Sequence, residues 1–358
     1  MEKKKRVVQL LPNLSYGDGV GNDVLAIDRI LKKNGYDTHI YADYIGDRID
    51  KTIASPVRKM RELMEDDMIL YHLSTGCHLN YQLADYPGKK IIRYHNVTPP
   101  GFFSLYDSRN AVGCREGLRG MQLLRDTADY CLADSEFNKQ DLIRAGYQCE
   151  IDVIPVLIPF NDYKKEPEPE TVAKYSDGMT NILFTGRIVP NKKQEDVIEA
   201  FACYQKYYNK NSRLILVGSP AGAVTYYDSL QEYVRRLGVE NVVFTGHISF
   251  AEILACYSVA DLFLCMSEHE GFCIPLVEAM LFEVPIVAYL CTGVTDTLGG
   301  SGFPINQKNP LETAGILHYV MTHEEVRKRL ISEQNTRLRD FDGEAAGRRL
   351  LDDIKRWW

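Results

Sequence analysis

The chain has 358 residues, a formal net charge of −7 and nine scattered cysteines. That length exceeds one ordinary hydrophobic core and implies two domains, and 45% hydrophobic with 25% charged residues is a globular composition. The acidic balance excludes nucleic acid as the main partner, and the absence of any Cys-x-x-Cys pair argues against a structural zinc site or a disulfide framework. In chain order, residues 3–6 read as a solvated basic tail and 6–11 as the first strand. Residues 20–32 carry Val24, Ile27, Ile30 and Leu31 at helical spacing. Short apolar runs at 38–41, 68–73, 90–94 and 130–133 read as further buried strands. Ser135 then opens a helix through Ile143, with Glu136 in its first turn. Such alternation predicts a doubly wound parallel sheet.

Residues 154–170 are rich in proline and charge, which suits an exposed linker. The pattern then restarts. Strands are expected at 181–185, 213–217, 242–245, 261–266 and 285–289, and helices at 195–207, 226–237, 251–258 and 275–282. The expected organisation is a first domain over 1–160, a linker over 161–178, a second domain over 179–340 and a terminal helix over 341–358 that returns to the first domain. No apolar run approaches the ~20 residues of a membrane span, so a cytoplasmic protein is expected, with peripheral contact at a membrane surface left open.

Three constellations carry chemistry. Gly17, Gly19 and Gly21 join the first strand to the first helix. Glycines there let backbone N–H groups approach an anion at the helix start, or simply permit a tight turn. Their spacing misses the dinucleotide fingerprint by one residue, which disfavours a nicotinamide cofactor. Gly186, Arg187 and Lys192 follow the first strand of the second domain. A guanidinium fork and an ammonium five residues on can neutralise a diphosphate, or be an ordinary solvated loop. The third constellation is the most informative: Glu270 and Glu278, eight apart, enclose the apolar stretch Gly271-Phe272-Cys273-Ile274-Pro275 between a strand end and a helix. In an open α/β sheet that end of the strand is where ligands bind.

The paired glutamates, followed by Ala279-Met280 and by Val284-Pro285-Ile286-Val287-Ala288, resemble the signature of the retaining glycosyltransferases of family 4. Gly186-Arg187 with Lys192 is similar to that family's phosphate-binding pair, and Phe244-Thr245-Gly246-His247-Ile248 to its strand-end segment beside the nucleobase. The matching stretches run along nearly the whole chain in family order. The resemblance implies a GT-B fold of two facing Rossmann-like domains that close over the site. It implies a sugar moved from a nucleotide-sugar donor, UDP- or GDP-linked, to an acceptor hydroxyl with retention. Arg187 and Lys192 would hold the diphosphate and stabilise charge as the sugar leaves. Glu278 would accept the ribose hydroxyls, Glu270 the sugar hydroxyls, and Gly271, Phe272 and Cys273 would lie against sugar and phosphate. His95, in Tyr94-His95-Asn96-Val97, matches a histidine facing the donor sugar; a structural histidine at a strand end is the other option.

The glutamate motif carries no Asp-x-Asp cradle, so no metal and no other cofactor is expected. The implied acceptor is a glycan or lipid-linked glycan of the capsule or O-antigen kind. The apolar loop 98–103 would face acceptor or membrane, or pack on its own domain. Two departures stand out: Cys273 where the family often has glycine, and Lys193 where a glycine commonly follows the phosphate lysine. The alternatives are a sugar-nucleotide-binding protein without activity and a two-domain dehydrogenase.

Overall fold

A computed structural model describes residues 5–15, 17–220 and 222–358. Residues 3 and 4 of the basic tail and Tyr16, which opens the glycine turn, lie outside the described residues. The chain forms two compact units. The first is Met1–Gly101 with Arg109–Pro159 and Phe341–Trp358; the second is Phe102–Ser108 with Phe160–Asp340.

The first unit holds seven parallel strands: β1 Arg6–Leu14, β2 Asp37–Ile45, β3 Ser55–Pro56, β4 Met68–Leu73, β5 Lys89–Tyr94, β6 Tyr130–Ala133 and β7 Glu150–Val153. Their order is β3-β2-β1-β4-β5-β6-β7. All six residues of β4 are buried, as expected of a parallel strand covered on both faces. The switch in strand order falls between β1 and β4. There the helix Gly19–Lys33 starts close against β1: a Cβ on Gly21 would stand 2.9 Å from the Ser15 carbonyl oxygen. The terminal helix Gly343–Trp357 belongs to this unit, as expected, and packs on Gly19–Lys33 where Gly347 meets Ile30. Trp357 stacks on Tyr130 at 5.0 Å and Trp358 lies tilted against Tyr36 at 5.7 Å, so the terminal aromatic pair serves the unit's own packing.

The second unit holds six parallel strands: β8 Thr180–Thr185, β9 Ser212–Val217, β10 Val242–Gly246, β11 Leu262–Cys265, β12 Ile286–Tyr289 and β13 Phe303–Ile305, in the order β10-β9-β8-β11-β12-β13. Its switch falls between β8 and β11. Both expected doubly wound sheets are therefore present.

Two stretches differ from their sequence reading. Residues 161–178 are not a bare linker. They contain the 3-10 turn Phe160–Lys164 and the helix Pro169–Tyr175, both in the second unit. Pro169 sits in the helix's first turn, where its missing N–H is harmless, and the Glu168 side chain caps Thr171 N at 2.6 Å. Charge and proline here mark a helix start. The apolar loop is likewise committed: Phe103 is buried, and the Phe102 ring lies 6.1 Å from His269 within the second unit. Among the described residues, no helix is long and apolar enough to cross a membrane.

Candidate functional site

In the second unit the loop after β8 and the loop after β11 meet at the switch point, where an open α/β sheet offers a ligand crevice. The backbone there is tightly arranged. Gly218, at the end of β9, comes so near Gly186 that a Cβ on it would lie 1.8 Å from the Gly186 carbonyl oxygen. Gly186 (φ +140°) and Gly246 (φ +69°) end β8 and β10, and Gly218 bridges to Gly246. Three strand ends thus carry no side chain, which leaves their backbone open to a close-lying ligand. Arg187 follows, exposed and, among the described residues, without an ion pair.

Lys192 closes the loop. Its ammonium donates to both Glu270 oxygens at 2.5 Å, the two side chains being 17% and 8% exposed. Burial opposes the lysine's charge, but the Glu270 carboxylate outweighs it and the Lys192 pKa is raised. Ser267 Oγ donates to Glu270 Oε1 at 2.8 Å, and the Glu270 amide donates to Thr292 Oγ1 at 3.0 Å. An ammonium has three N–H donors, two of them used here, so one is left. A carboxylate accepts about four hydrogen bonds and Glu270 already takes three, so about one position remains for an incoming hydroxyl. Lys193 turns elsewhere, to Glu195 at 3.3 Å and Glu268 at 3.6 Å. Lys192 is therefore the lysine at the glutamate.

Cys273 caps the helix Ile274–Leu281 in the left-handed conformation at φ +78°. Such a backbone favours glycine, which is the physical reason a glycine suits this position. Its side chain is buried, and its thiol shares a hydrogen bond with Cys265 at the end of β11. The thiol packs against the strand below. The Cys265 hydrogen bond, then burial, pushes the Cys273 pKa well up, so it is no poised nucleophile. Phe272 is buried; its carbonyl accepts from Thr297 Oγ1. Gly271 lies so close to Gly293 that a Cβ on Gly293 would come within 2.2 Å of the Gly271 oxygen.

Glu278 stands half-buried on that helix. Tyr163 OH donates to its Oε1 and Tyr257 OH to its Oε2, both at 2.7 Å. Burial raises the Glu278 pKa, and the two phenols act against that rise. Tyr257 OH is also 2.5 Å from Thr185 Oγ1, at the end of β8. Glu278, Arg187, Lys192 and Glu270 therefore share one edge of one sheet. His247, exposed beyond β10, follows the same edge.

In the first unit, Gly17 adopts φ +76° and Gly21 lets the helix close on Ser15, so these two glycines do the work of a tight strand-to-helix turn. Gly19 is the first residue of that helix. His95 differs from its expected role. Its side chain is 2% exposed, with Nδ1 2.8 Å from Asp134 Oδ2 and Nε2 2.9 Å from His72 Nδ1. The ring stacks on His72 at 5.2 Å, and Arg93 links Asp134 and Asp23 at 3.0 Å each. Both ring nitrogens are taken, and what His95 exposes is backbone. As it stands the imidazole is part of a buried polar cluster and presents no nitrogen to a ligand.

Sequence reading missed Ser267, Thr292, Tyr163 and Tyr257 around the glutamates, and His72, Asp134, Arg93 and Asp23 around His95. Ser267 and Thr292 flank the motif closely enough to have been suspected. The tyrosines offered no signal, since one lies in a stretch that reads as linker and the other in an apolar helix.

Residues 170–337 match the family described as glycosyl transferases group 1. Over 241 residues the chain is 26% identical to a D-inositol 3-phosphate glycosyltransferase of Corynebacterium glutamicum, covering 64% of this chain and 57% of that protein. It is 26% identical to the O-antigen chain mannosyltransferase B of Escherichia coli, covering 49% of this chain and 47% of that one. The chain spans about half the length of the curated relatives it matches. In fold it resembles Anabaena HepE, solved with UDP and glucose: TM-score 0.77, 19% identity, 98% of this chain and 100% of that one. It also resembles the sucrose-phosphate synthase of Thermosynechococcus elongatus: TM-score 0.76, 16% identity, 99% of each chain. The fold class is GT-B, with two parallel-sheet α/β units.

Proposed function

We propose that this protein is a retaining glycosyltransferase that moves a sugar from a nucleotide-sugar donor to an acceptor hydroxyl. The observation that carries the reading is the Lys192–Glu270 pair beside the exposed Arg187 at the β8/β11 switch point. A nucleoside diphosphate is a leaving group that needs charge stabilisation rather than protonation. Arg187 offers a free guanidinium fork and Lys192 a remaining N–H, and together they meet that need. Glu270 keeps about one acceptor position for a sugar hydroxyl. Two carboxylates of a glycosidase would instead face each other across a bond, one of them protonated. Here Glu270 is ion-paired and Glu278 is held by phenols, which suits binding groups.

The donor base is uracil or guanine in this reading. Support comes from HepE, solved with UDP-glucose, and from the GDP-mannose-dependent alpha-mannosyltransferase of Mycolicibacterium smegmatis, which is 30% identical over 31% of this chain. The acceptor is a glycan or lipid-linked glycan of a surface polysaccharide. The O-antigen mannosyltransferase and, from Campylobacter jejuni, an N-acetylgalactosaminyltransferase named for a glycan on PP-undecaprenol, both among the relatives, support that choice. The Arg187 and Lys192 charges make a divalent metal unnecessary for departure of the diphosphate. With the acceptor on a lipid carrier, the protein would work at the inner membrane face. His95 has a direct part only if its ring leaves Asp134 and His72.

The test is release of nucleoside diphosphate from a panel of UDP- and GDP-sugars, with and without glycan acceptors and with a metal chelator. Release that survives the chelator and fails in Glu270→Ala and Lys192→Ala is expected. Absence of release from every donor would remove the reading.

A further inference from the structure

Glu278 reaches the ligand edge of the second sheet through two phenols from separate elements. Tyr163 belongs to the 3-10 turn Phe160–Lys164 and Tyr257 to the helix Phe250–Ser258. Each donates to a different carboxylate oxygen at 2.7 Å. The Tyr163 ring is itself held edge-on against Phe250 at 5.2 Å. The Tyr257 oxygen, whose own proton goes to Glu278, accepts from Thr185 Oγ1. A half-buried glutamate on a helix has three side-chain torsions to settle, and two directed donors on opposite oxygens fix the plane of its carboxylate. Of about four acceptor positions, two remain free, one on each oxygen. Two acceptors on one fixed carboxylate match a vicinal diol, and in a nucleotide sugar the ribose supplies one.

We propose that Tyr163 and Tyr257 are positioning residues that hold the Glu278 carboxylate in the orientation that accepts both ribose hydroxyls of a nucleoside diphosphate. The inference rests on the nucleotide-sugar reading of this site. It assigns discrimination between ribose and deoxyribose to the tyrosine pair as well as to the glutamate they hold. The phenols also favour the ionised form of the glutamate, against the rise in its pKa that burial causes. They are the titratable groups that bear on it, and Asp162 in turn bears on Tyr163. Removing one hydroxyl takes away a donor that favours the charged form, so Glu278 then protonates at higher pH.

Tyr163→Phe keeps the ring on Phe250 and deletes only the hydroxyl; Tyr257→Phe is the parallel change from the other side. Binding of UDP and GDP, and of their 2′-deoxy and 3′-deoxy counterparts, would be measured by calorimetry between about pH 5 and 8. Thermal melting reports folding of each variant. The wild-type chain should prefer one ribonucleotide over its deoxy forms by at least about tenfold, the worth of one charge-assisted hydrogen bond. In Tyr163→Phe that preference should shrink severalfold through weaker ribonucleotide binding, with deoxy binding unchanged. The acid limb of ribonucleotide binding should also move to higher pH. A well-folded Tyr163→Phe with the wild-type preference and the wild-type acid limb would overturn the inference, leaving the nucleotide reading intact. If Tyr163→Phe does not fold, Tyr257→Phe decides on the same two readouts. A wild-type chain that binds none of these nucleotides would remove the nucleotide reading, and this inference with it.

Discussion

Replacing Lys192 with methionine tests the ion pair at the centre of the site. The methionine keeps most of the apolar stem and removes the ammonium. Glu270, 8% exposed, then keeps only Ser267 as a side-chain donor. Removing one partner of a buried pair costs about 3–5 kcal/mol, because the other charge is left uncompensated. The lower end, about 3 kcal/mol, applies here because Lys192 is 17% exposed and water reaches the pair. Glu270→Gln should cost less, since a stranded ammonium can turn to solvent while a stranded carboxylate at 8% cannot. The double variant Lys192→Met with Glu270→Gln should recover most of the loss, a coupling of about 2 kcal/mol. Both tryptophans belong to the first unit, so their fluorescence does not follow this region. Hydrogen exchange does, at the amides of Glu270 and Gly293, which bond to Thr292 Oγ1 and the Glu270 carbonyl at 3.0 Å. The pH sign is fixed by the raised Lys192 pKa: the stabilisation is complete below the ordinary lysine value of about 10.4 and is lost as pH rises through the higher folded value. Losses from the two single changes that simply add, within about 0.5 kcal/mol, would refute the pairing argument. Diphosphate release should stay low in the double variant even where stability returns, because the leaving group still lacks its cation.

Arg187→Ala should leave the melting temperature unchanged, as the side chain is exposed, while turnover falls by about 10²-fold through the lost phosphate contact. Paired melts would show it. Cys273→Gly should be more stable than Cys273→Ala by about 1 kcal/mol, because both lose the thiol and only alanine keeps a Cβ at φ +78°; equal denaturation midpoints would contradict this. Asp134→Asn should destabilise the first unit by about 3 kcal/mol, since it strips a carboxylate from between Arg93 and His95, 1% and 2% exposed. Tryptophan fluorescence should report that loss, with Trp357 stacked on Tyr130 in the same unit.

The strands were legible because parallel strands buried on both faces carry continuous apolar runs, as residues 182–184 of β8, 214–217 of β9 and 262–265 of β11 do. β7 and β13 escaped for the opposite reason. They are short edge strands of four and three residues, with partly exposed positions that break any run. Proline and glutamate serve a helix start as well as a solvated tether, and contacts made by folding separate the two, such as the hydrogen bonds from Glu168 N to the Ala251 carbonyl and from Tyr163 to Glu278. Composition holds no trace of those bonds. For the same reason the segment Phe102–Ser108 could not be assigned: which unit it joins depends on ring contacts such as Tyr106 with Tyr226 at 5.1 Å.

The site shows where motif spacing stops being informative. Spacing placed Glu270 and Glu278 at a strand end and on a helix, and they are there. It did not say what state each carboxylate is in, because that depends on donors brought from elsewhere in the chain. Lys192 reaches Glu270 across 78 residues and Tyr163 reaches Glu278 across 115. One glutamate is thereby ion-paired and the other held by phenols, and the two have different acceptor positions to spare. His95 teaches the same point in reverse. Its strand-end position suggested a ligand contact, yet His72 and Asp134 occupy both nitrogens, so position alone does not make a side chain available. In a fold whose strand ends all point to one edge, what separates a ligand-binding group from a structural one is the count of hydrogen-bond positions its neighbours leave unused.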